Sequence, residues 1–73
     1  MAVAWMQNPP FSEAVSNLGY DTETQEMLVR WSDGKVSAYA GVQPEKFDEI
    51  SRAPSVGSAI HSEIKGKHQH RYR

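Results

Sequence analysis

MLVRWSDGKVSAY, residues 27–39, is the stretch that decides the fold. Met27, Val29 and Trp31 recur at every second position, which is the period of a strand with one buried face. Asp33-Gly34 follows, and this dipeptide between two strand-like runs is a strong hairpin signal. The stretch therefore predicts two antiparallel strands joined by a tight turn.

A further strand is predicted upstream of this hairpin, with Leu18 and Tyr20 on one side and Val15 on the other. The segment from Asp21 to Thr24 supplies the turn, because Asp and Thr side chains hydrogen-bond their own backbone. We therefore expect three antiparallel strands, near residues 13–20, 25–31 and 36–41.

Two helices are expected downstream, near residues 44–53 and 55–65. Pro44 suits the first turn of a helix, where its missing N–H costs nothing. Ser55 suits the N-cap of the second helix, and Gly66 suits its end. The apolar positions of the two helices are Phe47, Ile50, Ala53, Val56, Ile60 and Ile64. The predicted class is α+β, with a three-stranded antiparallel meander followed by two helices packed on one face, β-β-β-α-α.

The length and composition of the chain limit its stability. It has 73 residues and no cysteine, so disulfides and thiolate metal sites are excluded. One core of this size rarely supplies more than about 3–5 kcal/mol. We therefore expect a homo-oligomer, most simply a two-fold dimer.

The net charge of −1 conceals an asymmetry. Residues 13–63 contain all nine acidic residues against four basic ones, a net charge of −5, whereas residues 64–73 contain four basic residues and no acidic one. No stretch approaches the ~20 apolar residues of a membrane span, and residues 1–10 do not resemble a secretory signal. We expect a cytoplasmic protein that does not enter a membrane.

We divide the chain into an N-terminal arm, residues 1–11, a folded domain, residues 12–66, and a basic C-terminal tail, residues 67–73. Asn8-Pro9-Pro10 excludes a helix from the arm, but Trp5 and Met6 are too apolar to remain in water. Either the arm packs on its own domain or it crosses to a neighbouring subunit.

Landmarks at fixed spacing resemble the KTSC domain, a short module named for its occurrence at the C-terminus of some lysyl-tRNA synthetases. Stand-alone bacterial and phage members also occur, and the resemblance covers residues 12–68. The landmarks are Gly19-Tyr20-Asp21, Met27, Val29, Trp31, Ser32-Asp33-Gly34-Lys35, Tyr39, Val42, Pro44, Ala53, Ser55, Gly57, Ile60 and Ile64. The family's Tyr-x-Tyr reads Ser37-Ala38-Tyr39 here, its Phe-Asn reads Ile60-His61, and its terminal Tyr corresponds best to His68.

Two functional hypotheses stay open. The resemblance to a synthetase-linked module implies RNA binding, with single-stranded RNA or tRNA as the partner. Basic side chains that meet phosphates release counterions, and aromatic rings stack on bases. The residues that would carry this binding are Tyr39, Lys65, Lys67, His68, Arg71, Tyr72 and Arg73.

The second hypothesis is a protein–protein interaction or assembly protein, encoded by a phage and acting on a host system by occlusion. It rests on the acidic body and the apolar arm. The residues that would carry it are Trp5, Met6, Glu45, Asp48 and Glu49.

An enzyme is the least favoured class. No recognisable nucleophile motif accompanies His61, and the chain lacks a glycine-rich phosphate loop. His68-Gln69-His70 offers two imidazoles, where a structural zinc needs about four ligands and a catalytic zinc about three. We therefore predict a non-enzymatic binding module without catalytic residues, metal or cofactor.

Overall fold

A computed structural model describes residues 3–7 and 14–73 of the chain. Within these residues the chain forms β1 (Val3–Trp5), β2 (Val15–Asp21), β3 (Glu26–Trp31), β4 (Val36–Tyr39), α1 (Pro44–Ser51), α2 (Val56–Glu63) and β5 (His70–Tyr72). The strands make one antiparallel sheet in the order β1-β2-β3-β4-β5. The predicted α+β class is confirmed. In the same residues, no helix is both long enough and apolar enough to cross a membrane.

The prediction of three strands is wrong in number, because each end of the chain adds a strand to the meander. β1 lies in the predicted arm and pairs with β2, and β5 lies in the predicted tail and pairs with β4. A strand of three residues is too short to show a periodic pattern. It forms because β2 and β4 would otherwise expose unpaired backbone groups at the edges of the sheet.

Both predicted turns form, and hydrogen bonds hold them. The Asp21 carboxylate accepts from the backbone N–H of Glu23 at 2.9 Å and of Thr24 at 3.2 Å. The Trp31 backbone N–H donates to the Lys35 carbonyl at 2.9 Å and closes the second turn. The alternation of the sequence and its turn residues therefore placed the central hairpins correctly.

The N-terminal half of β2 departs from simple alternation. We expected Val15 on the side opposite Leu18, but both side chains lie in the same core. The register between β2 and β3 shifts between Val15 and Asn17. Such a bulge adds a residue to one strand. The side chains before the bulge therefore point to the face opposite to the one that simple alternation predicts. Val15 thereby turns towards the helices.

The two helices pack on one face of the sheet, as predicted, but each is shorter than expected. Ser55 caps α2, since its hydroxyl oxygen accepts from the Ser58 backbone N–H at 3.4 Å. Ile60 is fully buried. The core cluster between sheet and helices contains Val15, Leu18, Tyr20, Met27, Val29, Tyr39, Val42, Ile50, Val56, Ile60 and Ile64, and Phe47 packs against it.

The opposite face of the sheet, here called the open face, carries no helix among the described residues. Leu28 is nevertheless only 2% exposed there. Trp5 lies on this face above Gly19, where an added Cβ would approach the indole to 2.8 Å. The Arg30 guanidinium stacks 4.5 Å from the centroid of the indole. Trp5 thus packs on its own sheet within one chain.

Candidate functional site

A groove of about 360 Å³ lies on the helix-covered side of the sheet, at the end of α2. One wall comes from β5 and the other from the chain that leaves α2, with β3 and β4 between them. We call this feature the groove. The residues that line it are Trp31, Ser37, Tyr39, Lys65, Gly66, His68, His70 and Tyr72.

The wall from β5 is aromatic. Antiparallel pairing sets His70 opposite Tyr39 and Tyr72 opposite Ser37. The side chains of His70 and Tyr72 therefore point to the helix-covered side of the sheet. The ring of His70 lies 5.1 Å from that of Tyr39, and it meets the ring of Tyr72 edge-on at 4.7 Å. Tyr72 is 66% exposed. A ring that exposed offers a face to a planar ligand.

The floor combines an indole with a cation. The Trp31 indole N–H donates to the Ser37 hydroxyl at 2.8 Å, which fixes the plane of the ring. The Lys65 ammonium lies 5.1 Å from the centroid of the same ring. An ammonium at this distance is attracted by the electrons of the ring. It can leave the ring for an anion, which attracts it more strongly.

The far wall depends on how α2 ends. Gly66 has a φ of +79°, a conformation that costs other residues more than glycine. It reverses the chain after α2 and brings His68 beneath β4. There His68 Nδ1 lies 2.8 Å from the Ala40 carbonyl oxygen. Because a carbonyl oxygen can only accept, Nδ1 donates this hydrogen bond.

Tyr39 contributes less ring surface than we expected. It is only 4% exposed and belongs to the core cluster. Burial raises the pKa of the Tyr39 hydroxyl, against a hydrogen bond with Ser37 that lowers it. The hydroxyl is therefore neutral near pH 7. Tyr39 supports His70 at the base of the groove, and the rings left for stacking are those of Tyr72 and Trp31.

The predicted nucleic-acid residues divide between the two faces of the sheet. The groove brings together Tyr39, Lys65, His68 and Tyr72. Lys67 is exposed outside its lining. Arg71 and Arg73 lie on the open face, because alternate side chains of a strand point to opposite sides.

Both arginines bind carboxylates on the open face. Arg71 donates to Glu26 through Nε at 2.8 Å and through Nη2 at 2.9 Å. Arg73 Nη1 lies 3.0 Å from a carboxylate oxygen of Asp21 and also 3.0 Å from one of Glu26. We call these four residues the ion cluster. Its arginines are already paired within the molecule.

The charges of the ion cluster change the acidity of its carboxyl groups. The hydrogen bond from Arg71 lowers the pKa of Glu26 and outweighs the opposing effect of burial. Burial by itself would raise the pKa of Asp21, but hydrogen bonds from Arg73 and from two backbone N–H groups lower it overall. Both carboxylates are therefore ionised at neutral pH.

The sequence analysis missed four residues of the groove: Trp31, Ser37, Gly66 and His70. By its sequence position, Trp31 is both a candidate stacking partner of Tyr39 and a core residue, and His70 is both a candidate metal ligand and part of the basic segment 65–73. The alternation of His70 and Tyr72 was visible in the sequence. The missing information was the pairing of that segment with β4, because this pairing sets its rings beside Trp31.

The residues predicted for protein interaction do not form a single surface. Trp5 lies on the open face, and Met6 packs against the core cluster. On α1, Asp48 pairs with Arg52 at 3.2 Å. Glu49 pairs with Lys46 at 3.4 Å, and Glu45 is exposed. Basic neighbours thus offset part of the acidic helix, and the role of these residues stays a prediction.

The histidines of the groove do not assemble a metal site with acidic neighbours. In residues 3–7 and 14–73, no three side chains of His, Cys, Asp or Glu are grouped so that they could hold a metal ion. The groups of the groove that can contact a ligand directly are its aromatic rings, the Lys65 ammonium and its hydrogen-bonding groups.

Comparison with known proteins places this chain in a family. The model of the KTSC domain matches residues 11–68. A protein of Tsukamurella paurometabola is 33% identical over 57 residues, which cover 78% of this chain and 85% of that protein. An uncharacterized protein of Stutzerimonas stutzeri is 32% identical over 62 residues, which cover 85% of this chain and 87% of that protein.

A solved structure shares the fold. The crystal structure of a KTSC domain protein from Yersinia pestis superimposes with a TM-score of 0.83 at 24% identity, and the match covers 96% of this chain and 99% of that one. At this identity the likeness concerns the fold alone. The family model and the two relatives together show that this chain belongs to the KTSC domain family.

Proposed function

We propose that the protein is a non-enzymatic binding module that holds single-stranded RNA by stacking a base in the groove. The exposed ring of Tyr72 beside His70 and Trp31 is the observation that carries this proposal. Within the part of the chain that the structure describes, Tyr72 is the exposed large hydrophobic side chain. The groove, at about 360 Å³, falls at the lower end of the ~300–1,000 Å³ of ligand pockets.

The charges of the groove suit a base followed by a phosphate. A base that stacks on Trp31 displaces the Lys65 ammonium from the ring, and the ammonium then pairs with the neighbouring phosphate. Each base stack contributes about 1–3 kcal/mol, with little preference for sequence. Arg71 and Arg73 are engaged on the other face, so few phosphates are contacted. Affinity then depends mainly on stacking.

Two single-tryptophan proteins test this proposal. The chain has two tryptophans, Trp31 in the groove and Trp5 on the open face. Trp5→Phe leaves only the groove indole, and Trp31→Phe leaves only the other one. Titration with a mixed-sequence single-stranded RNA at low salt should quench the fluorescence of Trp31 and leave that of Trp5 unchanged.

Variants then separate stacking from charge. Tyr72→Ala should weaken binding by about 1–3 kcal/mol, or roughly 5- to 150-fold, with no change in unfolding because the ring is exposed. Lys65→Ala should weaken binding and lower the salt slope by about 0.7. Arg52→Ala removes one surface charge outside the groove and is the matched control. Absence of quenching at tens of micromolar protein, or quenching of both tryptophans alike, would refute the proposal.

A further inference from the structure

The last residues of the chain place side chains on both faces of the sheet. His70 and Tyr72 form a wall of the groove, whereas Arg71 and Arg73 enter the ion cluster. The two sets alternate along β5 and Arg73, the residue that follows it. A displacement of β5 on one face must therefore displace it on the other.

β5 has little apolar surface to hold it in place. All three of its residues are exposed, and it lies at the edge of the sheet with β4 as its partner strand. It pairs with β4 over only three residues, and the Arg73 backbone N–H adds a hydrogen bond to the Val36 carbonyl at 2.9 Å. Short, exposed edge strands open more readily than strands of the core.

The ion cluster supplies a further attachment of β5, from the open face. The side chains of Glu26 and Asp21 are each only 6% exposed, and that of Arg73 is 24% exposed. Thr24 also donates to Glu26, at 2.9 Å. Among the described residues, the ion pairs of both carboxylates involve Arg71 and Arg73. Two nearly buried carboxylates thus depend on the last strand for their counter-charges, and breaking such a pair on one side is unfavourable.

We propose that Arg71 and Arg73 are positioning residues, which hold β5 from the open face so that His70 and Tyr72 form the wall of the groove on the opposite face. This inference rests on the proposed function of the groove. In this role the two arginines act through β5 and not by contacting phosphates. It also means that salt weakens RNA binding in part by weakening the ion cluster.

A charge exchange between Arg71 and Glu26 distinguishes positioning from phosphate contact. Arg71→Glu places like charges together and should free β5. The double variant Arg71→Glu, Glu26→Arg restores an opposite-charge pair between these two positions, and Arg73 keeps its contact with Asp21. It should return β5 to β4 in part, because the arginine introduced at position 26 also faces Arg73. Asp21 is not exchanged, because it also holds the turn that follows β2. Arg71→Lys keeps the charge but loses the two-point contact, so it should give an intermediate result.

Two measurements are made on each variant. The first is hydrogen exchange of the Arg73 backbone amide together with the ring resonances of Tyr72 in NMR spectra, and it needs no RNA. Exchange should become about tenfold faster or more in Arg71→Glu and slow again in the double variant. The second is the affinity for RNA, which should fall and recover in parallel. Arg52→Glu makes the same charge change at another ion pair and should alter neither measurement.

The outcomes separate this inference from the proposed function. Unchanged exchange and unchanged Tyr72 resonances in Arg71→Glu would overturn the positioning role. So would an RNA affinity that stays low in the double variant although exchange has recovered, since that result indicates a direct phosphate contact.

If the parent protein binds no RNA, the proposed function fails. The exchange and ring measurements then still decide whether the ion cluster positions β5. If Glu26→Arg prevents folding, Arg71→Glu and Arg71→Lys decide it, because the Arg71 side chain is 60% exposed.

Discussion

The two faces of the sheet bury their central residues by different means. On the helix-covered face, Leu18 and Val29 lie fully buried in a cluster with Ile60. On the open face, Leu28 is 2% exposed although no described helix covers it. A tryptophan and long charged side chains cover that face instead, since the aliphatic stems of arginine can cover apolar surface while their charges pair.

This difference separates two kinds of stabilisation within one small domain. Apolar packing against α2 does not involve ionisable groups, so its contribution depends little on pH. The open face depends on ionised Glu26 and Asp21, and therefore on solution conditions. The groove lies where the two kinds meet, because its floor lies next to the core and one wall belongs to the strand that contacts the ion cluster.

The largest effect should come from the helix-covered face. Ile60→Ala should lower the free energy of unfolding by about 2–5 kcal/mol, since it leaves a cavity in the core. That loss approaches the whole stability of so small a domain. Urea unfolding measures it, and Ile60→Val, expected to cost about 0.5–1.5 kcal/mol, is the graded control. A variant that unfolds like the parent would contradict the core position of Ile60.

A smaller effect should come from the close contact on the open face. Gly19→Ala places a Cβ 2.8 Å from the Trp5 indole, and overpacking of this kind costs about 1–3 kcal/mol. Combining it with Trp5→Ala removes the two closest contacts and leaves the Ala4 carbonyl oxygen at 3.2 Å from the added Cβ. The double variant should therefore lose less stability than the two single losses added together. Additive losses in unfolding experiments would show that Trp5 does not lie on Gly19.

The smallest effect should be a loss of stability in acid. The pKa of Glu26 and that of Asp21 are lowered by folding from ordinary values of 4.5 and 3.8. A carboxyl group with a lowered pKa stabilises the fold above its unfolded pKa, and this stabilisation is lost as the pH falls through the folded value. Unfolding measured from pH 7 down to pH 3 should therefore show stability falling below about pH 4.5.

Two variants locate the origin of this acid effect. Glu26→Gln removes one of the titrating groups, so it should be less stable than the parent at pH 7 and should lose less stability in acid. Ile60→Ala should keep the pH dependence of the parent, because it changes only the apolar face. An equal pH dependence in Glu26→Gln and in the parent would show that the ion cluster does not cause the acid effect.

The sequence was sufficient for the middle of the chain. The period of Met27, Val29 and Trp31 and the Asp33-Gly34 turn predicted the central hairpin, and Ser55 predicted the start of the second helix. That helix ends at Glu63, before Gly66. These features act over one turn or one strand. The resemblance to the KTSC domain rested on the same segment, and the family model matches it.

Both ends of the chain needed the tertiary structure. β1 and β5 are three residues each, too few for a period, and each becomes a strand only because a longer strand offers it an unpaired edge. The seven predicted RNA-binding residues were grouped by charge and ring type. A strand places neighbouring residues on opposite faces, so it set Tyr72 in the groove and turned Arg71 towards Glu26. The sequence by itself determined which chemical groups the last strand carries, whereas long-range pairing with β4 decided which of them face the groove.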